Sequence, residues 1–402
     1  MKIAIVCFNL KWQAGGTRLI YSLARGLAKQ GHAPVIYAPE VNPNAFPELR
    51  AGLDIRIVPP PYEFVWNKKI FGLSAKIHAK IREDKLHTLV AKKIAAEMDK
   101  NFDIVNVHDF AYKVAPHYKR VNPKVKIVWT ENDPPYMYLP KKNPIYDILS
   151  RAYNWGRNVL AKPYFKSIDK VAVLDFYNRD WCRARGLNPV VVRSGVDFDV
   201  FYRPAHVRTG KEPAFRLFSL GALNPYRRFE DLIRASKLLH DAGANIRTSI
   251  VCKDIWNETE YRRSLEALVE ESDATSYVSV NFDGVSDDGL RKEFNEADAF
   301  VLTTYLPPPR NGYGWGLTNF EAMAAGLPLL ICHTSTACEV LEDGKNVLAV
   351  DPKSPKEIAE KVQMLIKSPD VYNRITSDGQ KFVKENISWD KYARELAGLF
   401  SH

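Results

Sequence analysis

The stretch Gly312-Tyr313-Gly314-Trp315-Gly316-Leu317-Thr318-Asn319-Phe320-Glu321-Ala322-Met323-Ala324-Ala325-Gly326-Leu327-Pro328 follows an apolar run, Phe300-Val301-Leu302-Thr303, and leads into another at 328–332. This order predicts a strand, a loop rich in proline and glycine, a helix of small residues and a second strand. Gly314 and Gly316 would expose backbone N–H groups at the helix start, a nest for phosphate. Glu321 falls about one turn into the helix, where a carboxylate can accept hydrogen bonds from vicinal hydroxyls. Gly326-Leu327-Pro328 ends the helix.

The same alternation runs outward in both directions. Val/Ile-rich runs at 2–7, 34–38, 54–58, 103–107, 126–130, 170–174 and 189–193 read as strands. Helical patterns lie between them, clearest at 17–30, where Leu19, Leu23 and Leu27 recur every four residues and Gly31 closes the helix. The pattern restarts with a strand at 215–220, a helix at 229–239, and strands at 246–251, 277–281, 298–303, 328–332 and 346–350. Strands alternating with helices imply parallel sheets joined by right-handed crossovers. The fold class is therefore α/β, with two doubly wound, Rossmann-like domains facing each other across a ligand cleft. Residues 197–213, with few periodic apolar positions and with Pro204 and Gly210, are the linker candidate.

Composition agrees with that size. A chain of 402 residues, 46% hydrophobic and 26% charged, is ordinary for a globular protein of about two domains. Its five cysteines are odd in number and scattered, which fits reduced thiols better than disulfides or a zinc site. No apolar run approaches the roughly 20 residues of a membrane span, so the expected location is cytoplasmic. The net charge of +10 is lopsided: residues 1–200 carry 32 basic and 18 acidic side chains, residues 201–402 carry 25 and 29. A basic first half favours a phosphorylated or otherwise anionic partner. Nucleic acid is not expected, because no basic-aromatic module accompanies the charge.

The glycine- and glutamate-bearing stretch at 312–328 resembles the signature of the retaining glycosyltransferases of family 4 (glycosyl transferases group 1), which have the GT-B fold. That signature reads Glu-Gly-Phe-Gly-Leu, three further residues, then Glu-Ala-Met-Ala-x-Gly-x-Pro. The likeness extends along the chain in the family's order. Gly15-Gly16 and Gly31-His32 resemble the first glycine loop and the end of the first helix. Asp103-Ile104-Val105-Asn106-Val107-His108 is similar to the family's Asp-Val-Val-His-x-His strand, and Ser194-Gly195-Val196-Asp197 with Phe201 to its Asn-Gly-Val-Asp segment. Asn281-Phe282-Asp283-Gly284, Ala297-Asp298, Glu339-Val340-Leu341-Glu342-Asp343-Gly344 and Ser388-Trp389 follow.

The resemblance implies an N-terminal acceptor-binding domain at 1–200, a C-terminal nucleotide-sugar domain at 201–387, and a last helix at 388–402 that crosses back to the first domain. It implies transfer of a hexose from a UDP- or GDP-sugar to a glycan or glycolipid with retention of configuration and no obligatory metal or other cofactor. Arg227, Arg228 and Glu321 would be the catalytic set. Gly15, Gly16, Asn132, Tyr313, Gly314, Trp315, Gly316, Leu317 and Glu321 would contact the donor.

Three positions depart from the family pattern. Tyr313 replaces the first of the paired glutamates. In Gly221-Ala222-Leu223-Asn224-Pro225-Tyr226-Arg227-Arg228, the family's arginine is Ala222, and Arg227 or Arg228 stands for its lysine. An arginine fork suits phosphate oxygens. Asn132 replaces a histidine; an amide can hydrogen-bond a sugar but carries no charge. These departures motivate two alternatives, a non-catalytic nucleotide or glycan binder of GT-B fold and a sugar-nucleotide epimerase. Asp197-Phe198-Asp199 mimics a metal-binding Asp-x-Asp, yet its Gly-Val-Asp setting argues for a turn. His108 and Asp109 are adjacent and so would point to opposite faces of a strand. Residues 68–100 hold nine Lys/Arg against four acids, with Ile77, Ile81, Leu89, Val90 and Ile94 along one rough face. That face reads either as a solvated helix packed on the sheet or as a patch docking an anionic membrane, at its cytoplasmic face, or a polyanionic acceptor.

Overall fold

The structure, a computed structural model, describes residues 1–62, 73–132, 143–205, 207–209, 214–255, 257–308 and 315–401. The chain divides into two compact units, Met1–Ser194 with Trp389–His402, and Gly195–Ser388.

The first unit is built on a seven-stranded sheet: β1 (Lys2–Val6), β2 (Ala33–Ala38), β3 (Asp54–Ile57), β4 (Ile104–His108), β5 (Lys126–Glu131), β6 (Lys170–Val173) and β7 (Pro189–Val191). The spatial order is β3-β2-β1-β4-β5-β6-β7, every pair parallel. The second unit has six strands, β8 (Phe215–Ala222), β9 (Ile246–Lys253), β10 (Val278–Asn281), β11 (Ala299–Leu302), β12 (Leu329–Cys332) and β13 (Leu348–Val350), in the order β10-β9-β8-β11-β12-β13 and also parallel. All thirteen strand positions expected from the sequence are occupied, their ends within a residue or two. The reason is local: runs such as Ile3-Ala4-Ile5-Val6 and Leu329-Leu330-Ile331-Cys332 are buried at every position, as strands covered on both faces must be.

In each unit the strand order reverses beside the first strand, between β1 and β4 and between β8 and β11. Right-handed crossovers then leave those neighbours toward opposite faces, and their C-terminal ends flank a crevice.

The helix Trp389–Ser401 belongs to the first unit. It lies on the helix Gly15–Lys29 so closely that a Cβ built on Gly26 would fall 2.6 Å from Ala393 Cβ. Lys126 Nζ donates to the Phe400 carbonyl at 3.0 Å.

The boundary differs from the expected 200/201. Residues 195–200 fold with the second unit, because Val196 bridges to Ser388 and Phe201 packs edge-on against Phe294 at 5.8 Å. The segment read as a linker is pinned as well. Arg203 donates to the carbonyls of Ala325 (2.5 Å), Ala297 (3.1 Å) and Asn295, and buried Arg208 pairs with Asp298 at 3.0 Å. Buried cations find partners whether or not their neighbours are apolar, so apolar periodicity misses such a segment.

The helix Leu73–Glu97 turns Val90, Ala91 and Ile94 into the core of the first unit. Of the face read at 68–100, Val90 and Ile94 thus pack inward, Ile77 and Leu89 are half-buried, and Ile81 is exposed. Residues 68–72 lie outside the described residues.

The close approach at Gly26 gives a test. Gly26→Val forces a branched side chain into the Ala393 contact and should cost about 2 kcal/mol or more, read as a lower midpoint in urea unfolding.

Candidate functional site

In the second unit, β8 ends at Ala222 and a short turn carries Arg227 and Arg228 into the helix Phe229–Asp241. Arg227 folds back over the strand end. A Cβ on Gly221 would lie 3.1 Å from its Nε, so the glycine makes room for the guanidinium. Arg227 Nη1 reaches Thr304 Oγ1 at 3.4 Å, and the Tyr305 amide donates to the Tyr226 carbonyl at 2.8 Å. The loops after β8 and β11 are thereby tied at their roots, with a guanidinium laid across the crevice.

Arg228 does something else. It sits in the left-handed region at φ +59°, and its side chain turns onto its own helix. Nη1 meets Glu230 Oε1 at 2.6 Å, while Nη2 and Nε meet the two oxygens of Asp231 at 2.8 and 2.9 Å. Burial alone would weaken its charge, but the Asp231 hydrogen bonds and the Glu230 and Asp231 carboxylates outweigh that and raise its pKa. The adjacent arginines, read together as phosphate ligands, therefore separate. Arg227 lies in the crevice; Arg228 anchors the turn, its charge engaged by Glu230 and Asp231.

After β11 the chain returns at Trp315. The helix Leu317–Ala324 starts from Gly316, whose φ of +66° and whose built Cβ, 2.6 Å from Asn319 Nδ2, leave no room for a side chain. The Asn319 amide donates to the Gly316 carbonyl at 2.9 Å. Glu321 is only 3% exposed, in the second turn of this helix. Trp315 is a packing residue, buried and 4.6 Å from the Phe320 ring. Its backbone leads into Gly316 and Leu317. Tyr313 and Gly314 lie outside the described residues.

In the first unit, Gly15 and Gly16 open the helix Gly15–Lys29, exposed, with open space above Gly16 and no acidic residue in the first turn. Thr17 Oγ1 donates to the Trp12 carbonyl at 2.6 Å and shapes the approach. Asn132 follows β5 and is held by Asp109. Its backbone amide donates to Asp109 Oδ1 at 2.9 Å, and its Nδ2 to the same carboxylate at 3.2 and 3.3 Å. The Asn132 carbonyl accepts from Asn178 Nδ2 at 2.8 Å. Asn132 Oδ1 is buried and, among the described residues, has no hydrogen-bond donor. Asp109 itself is held at φ +48°, with the fully buried Trp129 donating through Nε1 to its carbonyl at 3.0 Å.

His108, next to Asp109, points into the core. Asn106 donates through Nδ2 to the Val128 carbonyl and Thr130 Oγ1, so its Oδ1 faces His108 Nε2 at 2.8 Å and sets that nitrogen as the donor. Burial lowers the His108 pKa to about 3. The ring is neutral and structural.

Thr304 and Asn319 escaped the sequence reading, which weighed Asp109 only as a neighbour of His108. Thr303-Thr304 at a strand end was the one available signal, since polar residues closing an apolar strand mark its crevice end.

Two family descriptions match the chain in tandem: Glycosyltransferase Family 4 over residues 14–200 and Glycosyl transferases group 1 over residues 205–382. The chain belongs to glycosyltransferase family 4. It is 29% identical over 184 residues to an uncharacterized glycosyltransferase of Methanocaldococcus jannaschii, covering 45% of this chain and 43% of the relative. It is 26% identical over 215 residues to a probable sucrose-phosphate synthase of Thermosipho melanesiensis, covering 52% and 46%. The matched stretches thus span less than half the length of these curated relatives. A solved structure of HepE from Anabaena, in complex with UDP and glucose, superposes over 100% of this chain and 99% of its own with a TM-score of 0.71 at 15% identity. At that identity the likeness is one of fold, and the family 4 chain has the two-domain GT-B fold. Among the described residues, no helix is long and apolar enough to cross a membrane.

The buried His108 predicts an acid sensitivity. Its ordinary pKa of about 6.5 applies to the unfolded chain, so the unfolded state binds the extra proton first as pH falls. Stability should therefore decline from about pH 6.5 toward pH 3, with a His108 share of up to about 1.4 kcal/mol per pH unit. Urea unfolding from pH 7 to 4 should show a shallower decline for His108→Gln than for the parent.

Proposed function

We propose that this chain transfers a hexose from a nucleoside diphosphate sugar to a glycan or glycolipid acceptor with retention of configuration. The nucleotide occupies the crevice of the second unit. The observation that carries this reading is Arg227, laid over Gly221 at the end of β8 and reaching Thr304 after β11. A guanidinium fixed at a topological switch point matches a diphosphate in charge and geometry.

In this reaction negative charge grows on the leaving diphosphate as the glycosidic bond breaks. Arg227 and the amides at the start of the helix Leu317–Ala324 stabilise that charge, being oriented before the reaction begins. Glu321 accepts hydrogen bonds from the ribose hydroxyls. No side chain forms a covalent intermediate, the donor phosphate takes the acceptor proton, and no metal is required. The first unit holds the acceptor and offers Asn132 Oδ1 to a sugar hydroxyl. Arg228 keeps Arg227 in place by fixing the turn. The UDP and glucose found in the HepE structure support a sugar nucleotide as the donor class.

Calorimetry with UDP, GDP, ADP and dTDP tests the site. One nucleotide should bind, and Arg227→Ala should weaken it about tenfold to a hundredfold, the range of a lost charged hydrogen bond. Gly221→Val, which displaces Arg227 without removing its charge, should weaken it too, as should Glu321→Ala. Absence of binding, or indifference to all three changes, would overturn the assignment. The matching sugar nucleotide should then be consumed only with acceptor present. Isomerisation of the donor without acceptor would identify an epimerase, and binding without turnover a non-catalytic protein.

A further inference from the structure

The helix Pro144–Phe165 has apolar residues on two faces. One face is satisfied: Ala161 and Phe165 are buried, and the Phe165 ring lies 5.3 Å from both Trp129 and Tyr112. The other is bare. Ile145 is 65% exposed, Ile148 65%, Leu149 41%, Trp155 71%, Val159 41% and Leu160 72%. Steps of three and four residues put all six on one stripe, with only Ala152 and Gly156 between. Over residues 145–160 the stripe runs for about 22 Å. Single exposed leucines are ordinary on protein surfaces, but a continuous stripe of this kind marks a contact surface.

The charge beside it has one sign. Residues 141–166 contain Lys141, Lys142, Arg151, Arg157, Lys162 and Lys166 but a single acidic residue, Asp147. Arg157 is engaged inward with Asp84 at 2.6 Å, and Asp147 pairs with Arg151 at 2.9 Å. Arg151, Lys162 and Lys166 fall along one edge of the stripe by helical spacing, and all three are exposed. In an antiparallel two-fold pairing of this helix, which sets the same edge of each stripe side by side, the basic edges would face each other. An anionic surface meets no such conflict. A flat one accepts the full length of a convex helix without a matching groove.

We propose that the face of the helix Pro144–Phe165 bearing Ile145, Ile148, Leu149, Trp155, Val159 and Leu160 docks on a membrane surface rich in anionic lipid. The apolar side chains enter the boundary between headgroups and acyl chains, with Trp155 at headgroup depth. Lys162 and Lys166 meet the lipid phosphates. The helix lies in the plane of the surface and does not span it.

The full chain is to be co-floated with phosphatidylcholine vesicles made with and without phosphatidylglycerol. The parent should float with the anionic vesicles and about tenfold less with the neutral ones, the difference shrinking as salt rises. Trp155→Glu/Leu160→Glu should lose binding about tenfold or more with an unchanged melting temperature, because both positions are exposed. Lys162→Glu/Lys166→Glu should reduce binding to anionic vesicles alone. A reading free of any variant comes from the parent: amide exchange across residues 145–160 should slow when anionic vesicles are added. Binding indifferent to lipid charge or to the Trp155/Leu160 change overturns the proposal, as does unchanged exchange in the helix. So does a dimer, seen by sedimentation velocity without vesicles and abolished by Trp155→Glu/Leu160→Glu, or capture of an acidic protein by this face with no vesicle binding.

Discussion

β8 and β11 lie side by side in parallel, and the chain leaves them in opposite directions, from β8 toward β9 and from β11 toward β12. The handedness of crossover connections allows no other course for the helices that follow, so the two loops diverge and a crevice opens above the strand ends. Loops splayed in this way need a tie, and the bond from the Tyr305 amide to the Tyr226 carbonyl provides it. Arg227, Thr304 and the start of the helix Leu317–Ala324 stand at this edge because of that divergence. The first unit repeats the arrangement with β1 and β4: Gly15-Gly16 open the helix after β1, Asp109 follows β4, and Asn132 follows the neighbouring β5.

Within that frame, small residues and buried anchors do the positioning. Gly221 leaves the space that Arg227 fills, and Gly316 adopts a backbone conformation that costs other residues about 1–3 kcal/mol. Ion pairing holds Arg228 in its own unusual conformation, which turns the neighbouring arginine toward the crevice. In the first unit Trp129 holds the Asp109 carbonyl, and Asp109 in turn holds Asn132. An asparagine that could have adopted many rotamers is thus held in one by hydrogen bonds to Asp109.

The strands were legible because each is a short run of Val, Ile, Leu and Ala that carries its own signal, and a strand covered on both faces needs no context. The helix start at Gly316 and Leu317 was legible for a related reason: a glycine before a run of small apolar residues marks a helix boundary. Arg227 and Arg228 were not separable by sequence, being identical neighbours; a left-handed φ at the second and two carboxylates one turn ahead assign their roles.

The same distinction governs the surfaces. Periodicity marks the apolar positions of a helix but not what covers them, so residues 68–100 and 144–160 offer similar candidates in one dimension. Packing decides between them: Val90 and Ile94 go into the core, while Trp155 and Leu160 stay outside. Sequence alone determined the alternation of strands and helices, the two-domain plan and the family, because each rests on short-range patterns repeated many times. Tertiary structure alone decided which arginine lies in the crevice, how Asp109 holds Asn132 and which helix face is bare. Each of those depends on contacts between residues far apart in the chain, which no local pattern encodes.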